Sequence, residues 1–420
     1  MLYLGRVTEA QEFERVYDAA RAWAAERDYA GHDPFDALNS RLFRATPLRR
    51  SRLARLAWTQ AFKRSPVNLR RLALVPEERN AKGTALFALA ALSRLRATGR
   101  EEHAIDARTL LDSLVASRVE TAGGGAAWGY NFDWQGRAFY APRGTPTVVP
   151  TAFAVRALAE ASRAFGPGGA SYLDAARRAC DFILKDLNRS DETAEDVCFS
   201  YTSLDSTRVF NASLLAGEGL ASVGALTNEA ELTAAALRAS RYVARRQRAD
   251  GSWAYGADSY QSWSDNFHTA FVLTSLARIV ETVAADNGDA REEILGALGR
   301  GYAFWRDSFF LADGWPKYYH RSAHPADAHS AGAAIVACAE LRQLEPDATG
   351  LAARVASWAV RELYDRRGFF RYQRRRLLTV RTPYMRWSQA WMTYALARFL
   401  EAVGGQRSAI SKDEKLIADG

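Results

Sequence analysis

Cysteine is close to absent: Cys180, Cys198 and Cys338 are all that a 420-residue chain contains. An odd number of distant cysteines with no CxxC pair excludes a disulfide framework and a zinc ribbon, leaving three small buried hydrophobes. No apolar run approaches the roughly 20 residues a membrane-spanning helix needs, so no stable membrane insertion is expected. The opening MLYLGRVTEAQEFERV lacks the basic-then-apolar order of a signal peptide, and the expected compartment is the cytoplasm. A Walker loop, a GxGxxG after a strand, a Ser-His-Asp elbow and an SxxK motif are all missing, which leaves nucleotide hydrolysis and dehydrogenase chemistry without footing. Lysine is scarce as well, so the net charge of +8 rests on arginine. Those arginines are scattered over helix faces with no base-reading motif, and no nucleic-acid partner is expected.

What the chain does have is ordinary globular content, 48% hydrophobic and 25% charged, and a repeat. Helices rich in Ala, Gly and Leu start near Thr84, Thr151, Ser213, Thr269, Ser330 and Gln389, at spacings of 67, 62, 56, 61 and 59. Few charges interrupt them, as suits helices contacted on most sides. Between them run amphipathic segments at roughly 101–119, 170–187, 229–248, 289–309 and 348–365, each with one apolar stripe and one Arg/Glu face. Residues 7–27, with Thr8 as N-cap, and 47–64, with Pro47 in the first turn, read as two further helices. A helical hairpin cannot bury its inner face alone, so hairpins of this length must stack, and six close into a ring. The expected fold is all-α: one (α/α)6 toroid over 1–404 with short β segments in its rim loops, followed by a flexible tail at 405–420.

Connections from inner to outer helix are short (TGREE, GPGGA, LTNEA, DNGDA, EPDAT). Those from outer to inner are long, and long connections in a compact domain are usually functional. They hold six of the eleven Trp, nine of the seventeen Tyr and four of the six His, and they share a rim with the unpaired N–H groups of the inner helices. The first loop, YAGHDPFDALNSRLF, also carries Asp33, Asp36, Asn39 and Ser40 among aromatics.

Trp128, Tyr130, Trp134, Tyr201, Trp263, Tyr319, Tyr384 and Trp387 offer flat faces on which a sugar ring can stack. About half of the loop aromatics are expected to plug loop bases instead. Asp205, Asp265 and Asp327 are candidate catalytic carboxyls, and Asp133 a binding group; two facing carboxyls run glycoside cleavage. The competing role for each is to cap an inner helix or pair with arginine. His268 and His329, at inner-helix starts, are candidate general bases or acids, with Tyr318 as a further candidate. HRSAHPADAH invites a zinc reading, but Pro325 breaks any helical register between His324 and His329. Neither a metal nor another cofactor is expected. Arg137, Arg208, Lys317, Arg381 and Arg386 would give the cavity a positive rim suited to carboxylate or phosphate.

The spacing of Gln247, Gly251 and Trp253 in QRADGSW resembles the QxxxGxW signature of squalene-type cyclases, where it ties helix ends together. That resemblance implies fold rather than chemistry; LDST at 204–207 is not the DxDD acid motif such a cyclase needs. The whole layout is similar to toroids acting on sugars: six-hairpin glycosidases, polysaccharide lyases, uronyl epimerases and acylglucosamine epimerases. WGYNFDWQGR, RGTPTVVPT, DSTRVFNAS, DNFHT, DAHSA and PYMRWSQAW resemble bacterial proteins found with surface-polysaccharide biosynthesis and often labelled delta-aminolevulinic acid dehydratase. The true dehydratase resembles a β/α barrel with a Schiff-base lysine, and no alternating strand-helix pattern is present here. The resemblance implies a place in polysaccharide metabolism, and the basic rim an anionic glycan as substrate, handled by a lyase, an epimerase or a glycoside hydrolase. A non-catalytic glycan-binding component and a terpene-cyclase-like enzyme are the alternatives.

Overall fold

Small residues let the inner helices approach one another closely, and that sets the architecture. The computed structural model describes residues 2–136, 139–283 and 288–418, the side chains of 2–8 and 405–418 excepted. The chain enters through α1 (Leu2–Ala25) and a long excursion holding the short α2 (Arg41–Arg44) and α3 (Arg52–Arg64). Inner and outer helices then alternate: α4 (Ala81–Thr98), α5 (Glu101–Ala116), α6 (Val148–Phe165), α7 (Ala170–Asp181), α8 (Phe210–Thr227), α9 (Ala230–Ala244), α10 (Asn266–Thr282), α11 (Gly288–Phe309), α12 (Ala328–Leu341), α13 (Ala348–Leu363) and α14 (Trp391–Ala418). The helices α4, α6, α8, α10, α12 and α14 each pack on the next, and α14 returns to α4. Outside this ring, α5, α7, α9, α11, α13 and α1 pack on the same six helices in turn. This is the (α/α)6 toroid that the spacing predicts.

The helices start earlier than their aligned polar residues suggest. Helices α4, α6, α8 and α10 begin three residues ahead of Thr84, Thr151, Ser213 and Thr269. The polar side chain sits in the first turn because it clamps the preceding loop. Thr151 Oγ1 accepts from the Trp128 N–H at 3.0 Å, and Ser213 Oγ accepts from the Phe199 N–H at 3.1 Å. Gln389 accepts from the Phe370 N–H and donates to its carbonyl, at 2.8 and 2.7 Å. The rim loops carry the expected short β pairs, including 134–135 with 140–141 and a three-stranded set of 326–327, 373–374 and 379–380.

The N-terminal expectations need adjustment. Helix α1 already begins at Leu2, so Thr8 lies inside it. Residues 47–64 split into a 3-10 turn at Pro47–Arg50 and α3, with Ser51 accepting the Ala54 N–H at 3.3 Å as N-cap. The expected tail falls largely outside the described side chains, although the backbone of α14 runs on to Ala418. Among the described residues, no helix is long and apolar enough to cross a membrane.

QRADGSW acts as scaffold. Gln247 Nε2 donates to the carbonyls of Gly251 (2.9 Å) and Ala297 (2.8 Å), tying the end of α9 to α11. Gly251 has φ +84°, and a Cβ there would stand 2.6 Å from the Arg300 carbonyl, so only glycine fits. The Trp253 ring lies on Gly301, and its Nε1 donates to the Val243 carbonyl at 2.9 Å. Trp253→Ala is therefore expected to cost about 3–5 kcal/mol of stability, read from the denaturant midpoint at constant slope.

Candidate active site

The long loops and the first turns of the inner helices enclose one cavity of about 560 Å³. Its wall is mostly aromatic. Tyr130 stacks on Phe132 with centroids 5.0 Å apart, and Tyr255 stacks on Trp263 at 4.7 Å. Trp134, Tyr201, Tyr318, Tyr319 and Trp387 complete the surface, and the hydroxyls of Tyr130 and Tyr201 meet at 3.1 Å. Such a wall presents flat apolar faces with polar edges, the chemistry of a pyranose platform.

The titratable groups stand at the start of the inner helices. Asp265 is the N-cap of α10, its Oδ1 accepting the His268 N–H at 3.0 Å. Its Oδ2 lies 2.7 Å from His268 Nδ1 and accepts from Trp263 Nε1 at 3.2 Å. A carboxylate oxygen requires a donor at Nδ1, so the pair fixes the tautomer and leaves Nε2 as the basic lone pair. On the next inner helix, His329 is buried, and among the described residues neither ring nitrogen has a hydrogen-bond partner. Burial pushes it well below the ordinary imidazole value, with Lys82, Arg386 and His268 acting in the same direction. The Phe267 ring lies against both imidazoles, at 4.0 Å from His268 and 4.4 Å from His329.

Two cations complete the floor. Arg386 holds Asp33 bidentately, Nε to Oδ2 at 2.6 Å and Nη2 to Oδ1 at 2.8 Å. Burial opposes that charge and Asp33 restores it. Lys82 is buried in an aromatic box, its Nζ 4.3 Å from the Phe153 centroid, 4.9 Å from Phe271 and 5.2 Å from Trp391. Burial lowers it well below the ordinary ammonium value, and Arg386 and Arg156 push the same way. Lys63, over Phe35, is likewise lowered by burial and also lines the cavity.

Of the sequence candidates, Tyr130, Trp134, Tyr201, Trp263, Asp265, His268, Tyr318, Tyr319, His329, Arg386 and Trp387 share this wall. The others are placed elsewhere. Trp128 is buried with its Nε1 on the Leu114 carbonyl at 2.8 Å, a loop-base plug rather than a sugar platform. Asp205 spends both oxygens on the Thr202 and Thr207 N–H and hydroxyl groups, closing its own turn. Asp327 caps α12 through the Ser330 N–H and accepts from Trp387 Nε1 at 3.2 Å, behind the wall; burial raises it. Asp133 accepts from Arg44 and from the Arg143 N–H in a neighbouring groove. Arg208 pairs with Asp258 at 2.7 Å, and Lys317 donates to the Ser308 carbonyl at 2.8 Å. Tyr384 receives Arg70 Nη1 at 2.8 Å, and Arg381 is exposed away from the cavity. Arg137 lies outside the described residues. The histidines of HRSAHPADAH diverge: His320 packs on Phe309 and His324 on Trp315, while His329 alone enters the cavity.

Lys82, Asn211 and Phe267 are cavity residues that lie outside the long loops, in the first turns of inner helices. The signal for them lies in the repeat. Lys82, Val149, Asn211, Phe267 and Trp387 each stand two residues before an aligned polar residue, and His268 and His329 stand one before.

No protein-family model and no curated protein matches the chain by sequence. Solved structures do match by shape. A cellobiose 2-epimerase from Bacillus thermoamylovorans aligns over 78% of this chain and 88% of its own, with TM-score 0.58 and 12% identity. A sugar epimerase from a ruminal bacterium aligns over 79% and 90%, with TM-score 0.59 and 13% identity. The fold shared with these structures is the (α/α)6 toroid. A polysaccharide lyase of the same shape aligns over 77% of this chain and 90% of its own, with TM-score 0.55 and 7% identity. At these identities the likeness of this toroid to its neighbours extends to fold alone.

Proposed function

We propose that this protein is a carbohydrate-active enzyme that moves a proton on a sugar carbon next to a carbonyl or carboxylate, as an epimerase, isomerase or lyase. The observation that carries it is the Asp265–His268 pair on an aromatic wall, 2.7 Å apart, with the neutral His329 on the adjoining helix. In this reading His268 Nε2 takes the proton, and Arg386 with Lys82 steadies the oxygen on which charge develops. His329, unpartnered and neutral, holds or returns a proton on the other side of Phe267. Hydrolysis is the weaker reading. It calls for two carboxyls flanking the bond, and among the described wall residues Asp265 is the single carboxylate.

An anionic glycan stays within the proposal in altered form. Arg386 is already matched by Asp33, and Arg208 by Asp258. A substrate carboxylate would instead meet Lys82 or Lys63, each protonated as the anion arrives. A place in surface-polysaccharide metabolism rests on the motif resemblance.

The test is proton exchange. The chain is incubated in D2O with aldoses, ketoses and uronate oligosaccharides, and ¹H NMR follows loss of the signal α to the carbonyl or carboxylate. Exchange at one such carbon, or cleavage that leaves a carbon–carbon double bond where that proton stood, supports the reading. Release of reducing ends with that proton retained, or binding with neither, overturns it.

A further inference from the structure

The excursion ahead of the first inner helix carries a surface that the cavity does not use. Residues 37–76 contain ten Arg or Lys and no Asp or Glu; of these, Arg70 is buried on Asp36, Lys63 lines the cavity, and Arg44 and Arg71 pair with Asp133 and Glu77. The segment is a built unit. Ala37, Phe62, Ala73 and Val75 form a small core of their own with Trp58 against it, and Phe43 stacks on Trp58 at 5.1 Å. Ser40 Oγ donates to the Ala73 carbonyl at 2.6 Å, and the Arg41 N–H to the Leu74 carbonyl at 3.3 Å, which closes the segment on itself.

Its outward face is apolar as well as basic. Among the described residues, seven of the fifteen strongly exposed large hydrophobic side chains lie between residues 42 and 74, with Leu53 and Leu72 each 77% exposed. The turn bearing Leu377, 90% exposed, is pinned to the same unit by Arg375 Nη1 on the Arg64 carbonyl at 2.8 Å. In the same segment a groove of about 570 Å³ is lined by Arg44, Arg49, Arg50 and Arg55 with Leu38, Phe43 and Tyr140, and by Asp133, which Arg44 holds at 3.2 Å. Guanidinium groups gathered so match a phosphate-type anion.

We propose that this unit docks the protein on an anionic lipid bilayer, with the leucines entering the interface and the arginine groove taking lipid headgroups. Exposed leucines set among cations are the composition of an interfacial element. A nucleic acid would use the charge but not the aliphatic side chains, and the aromatic rings it would stack on are engaged in the unit's own core. Lys63 belongs to the unit and lines the cavity, so a bilayer held here lies beside the site. The proposal does not rest on the reaction assigned above, because its readout is vesicle binding without sugar.

The test is co-sedimentation of the full chain with vesicles of equimolar phosphatidylcholine and phosphatidylglycerol, and with phosphatidylcholine alone. Binding is expected to the anionic vesicles only and to weaken as salt is raised. Arg49→Glu with Arg50→Glu, and separately Leu53→Ser with Leu72→Ser, are each expected to weaken it at least about tenfold, with thermal midpoints unchanged. Absence of binding, equal binding to both vesicles, or insensitivity to the leucine pair overturns the proposal. So does retention of an oligonucleotide by the wild type in place of the vesicles.

Discussion

His268→Gln is expected to lower substrate deuterium exchange by roughly 10²–10⁴-fold, and Asp265→Asn by a comparable factor. The double variant should fall little further. Two groups that act as one unit are non-additive, because the second loss removes what the first has already disabled. Asp265 does two jobs with two oxygens. Oδ1 caps α10 through the His268 N–H, and Oδ2 faces His268 Nδ1 and Trp263 Nε1. Asparagine caps a helix about as well as aspartate, so Asp265→Asn keeps the fold, and its thermal midpoint is expected to stay close to the wild type. Its amide, in contrast, turns a donor toward Nδ1 and Nε1, which already donate there. The imidazole then loses its fixed tautomer, and the lone pair no longer stands reliably at Nε2. Equal stability with a collapsed exchange rate is the signature of this arrangement. Additive losses in the double variant, or exchange unaffected in either single one, would place the base elsewhere.

The same residue shows which parts of the site can be read from a sequence. Local patterns carried the fold. A polar residue recurring every 56–67 positions marked six inner helices, and at Thr151, Ser213 and Gln389 that side chain clamps the loop running into its own helix, 14 to 23 residues back. The Trp263, Asp265, His268 cluster was legible because capping and ring contact span a few residues. Asp205 was not. Its turn, closed by Thr202 and Thr207, looks in sequence like any loop carboxyl, and only the geometry shows both oxygens spent. The arginines were misjudged because their partners are remote. Asp33 and Arg386 are 353 residues apart, and Arg208 meets Asp258 across 50. A positive rim inferred from arginine counts therefore largely neutralises itself on folding.

Lys82 escaped for another reason. It is one charge in an otherwise apolar helix start, AKGTALFALAAL, and a lone lysine there reads as a solvated first-turn residue. Closure of the ring turns that first turn inward. The column two residues ahead of five of the six aligned polar residues becomes the cavity floor, with Lys82, Val149, Asn211, Phe267 and Trp387 in it. The register that identified the helices thus also identifies the floor, once inner helices are known to enter the rim by their N-termini.

Lys82→Met is expected to stabilise the protein and disable it together. The Nζ sits among Phe153, Phe271 and Trp391, with Arg386 and Arg156 repelling its charge, and among the described residues no carboxylate hydrogen-bonds to it. Burial lowers its folded-state value below the unfolded one of about 10.4. Across the window from the lowered value up to about 10.4, the unfolded chain binds more protons than the folded one. Stability therefore rises with pH there and is lost as pH falls. His329, also lowered by burial, adds a second loss of the same sign below about 6.5, where the unfolded imidazole protonates. Methionine is close to lysine in shape and does not titrate, so Lys82→Met should flatten the first slope and leave the second. A gain on the order of 1–4 kcal/mol near neutral pH is expected, the range found when buried ionic groups give way to well-packed apolar ones. Turnover should drop at least about a hundredfold, since the site loses the amine beside the developing oxyanion. Thermal melts between pH 5 and 9, paired with the exchange assay, read both effects. A Lys82→Met protein that is less stable, or that keeps its exchange rate, would return this lysine to the role of structural filler.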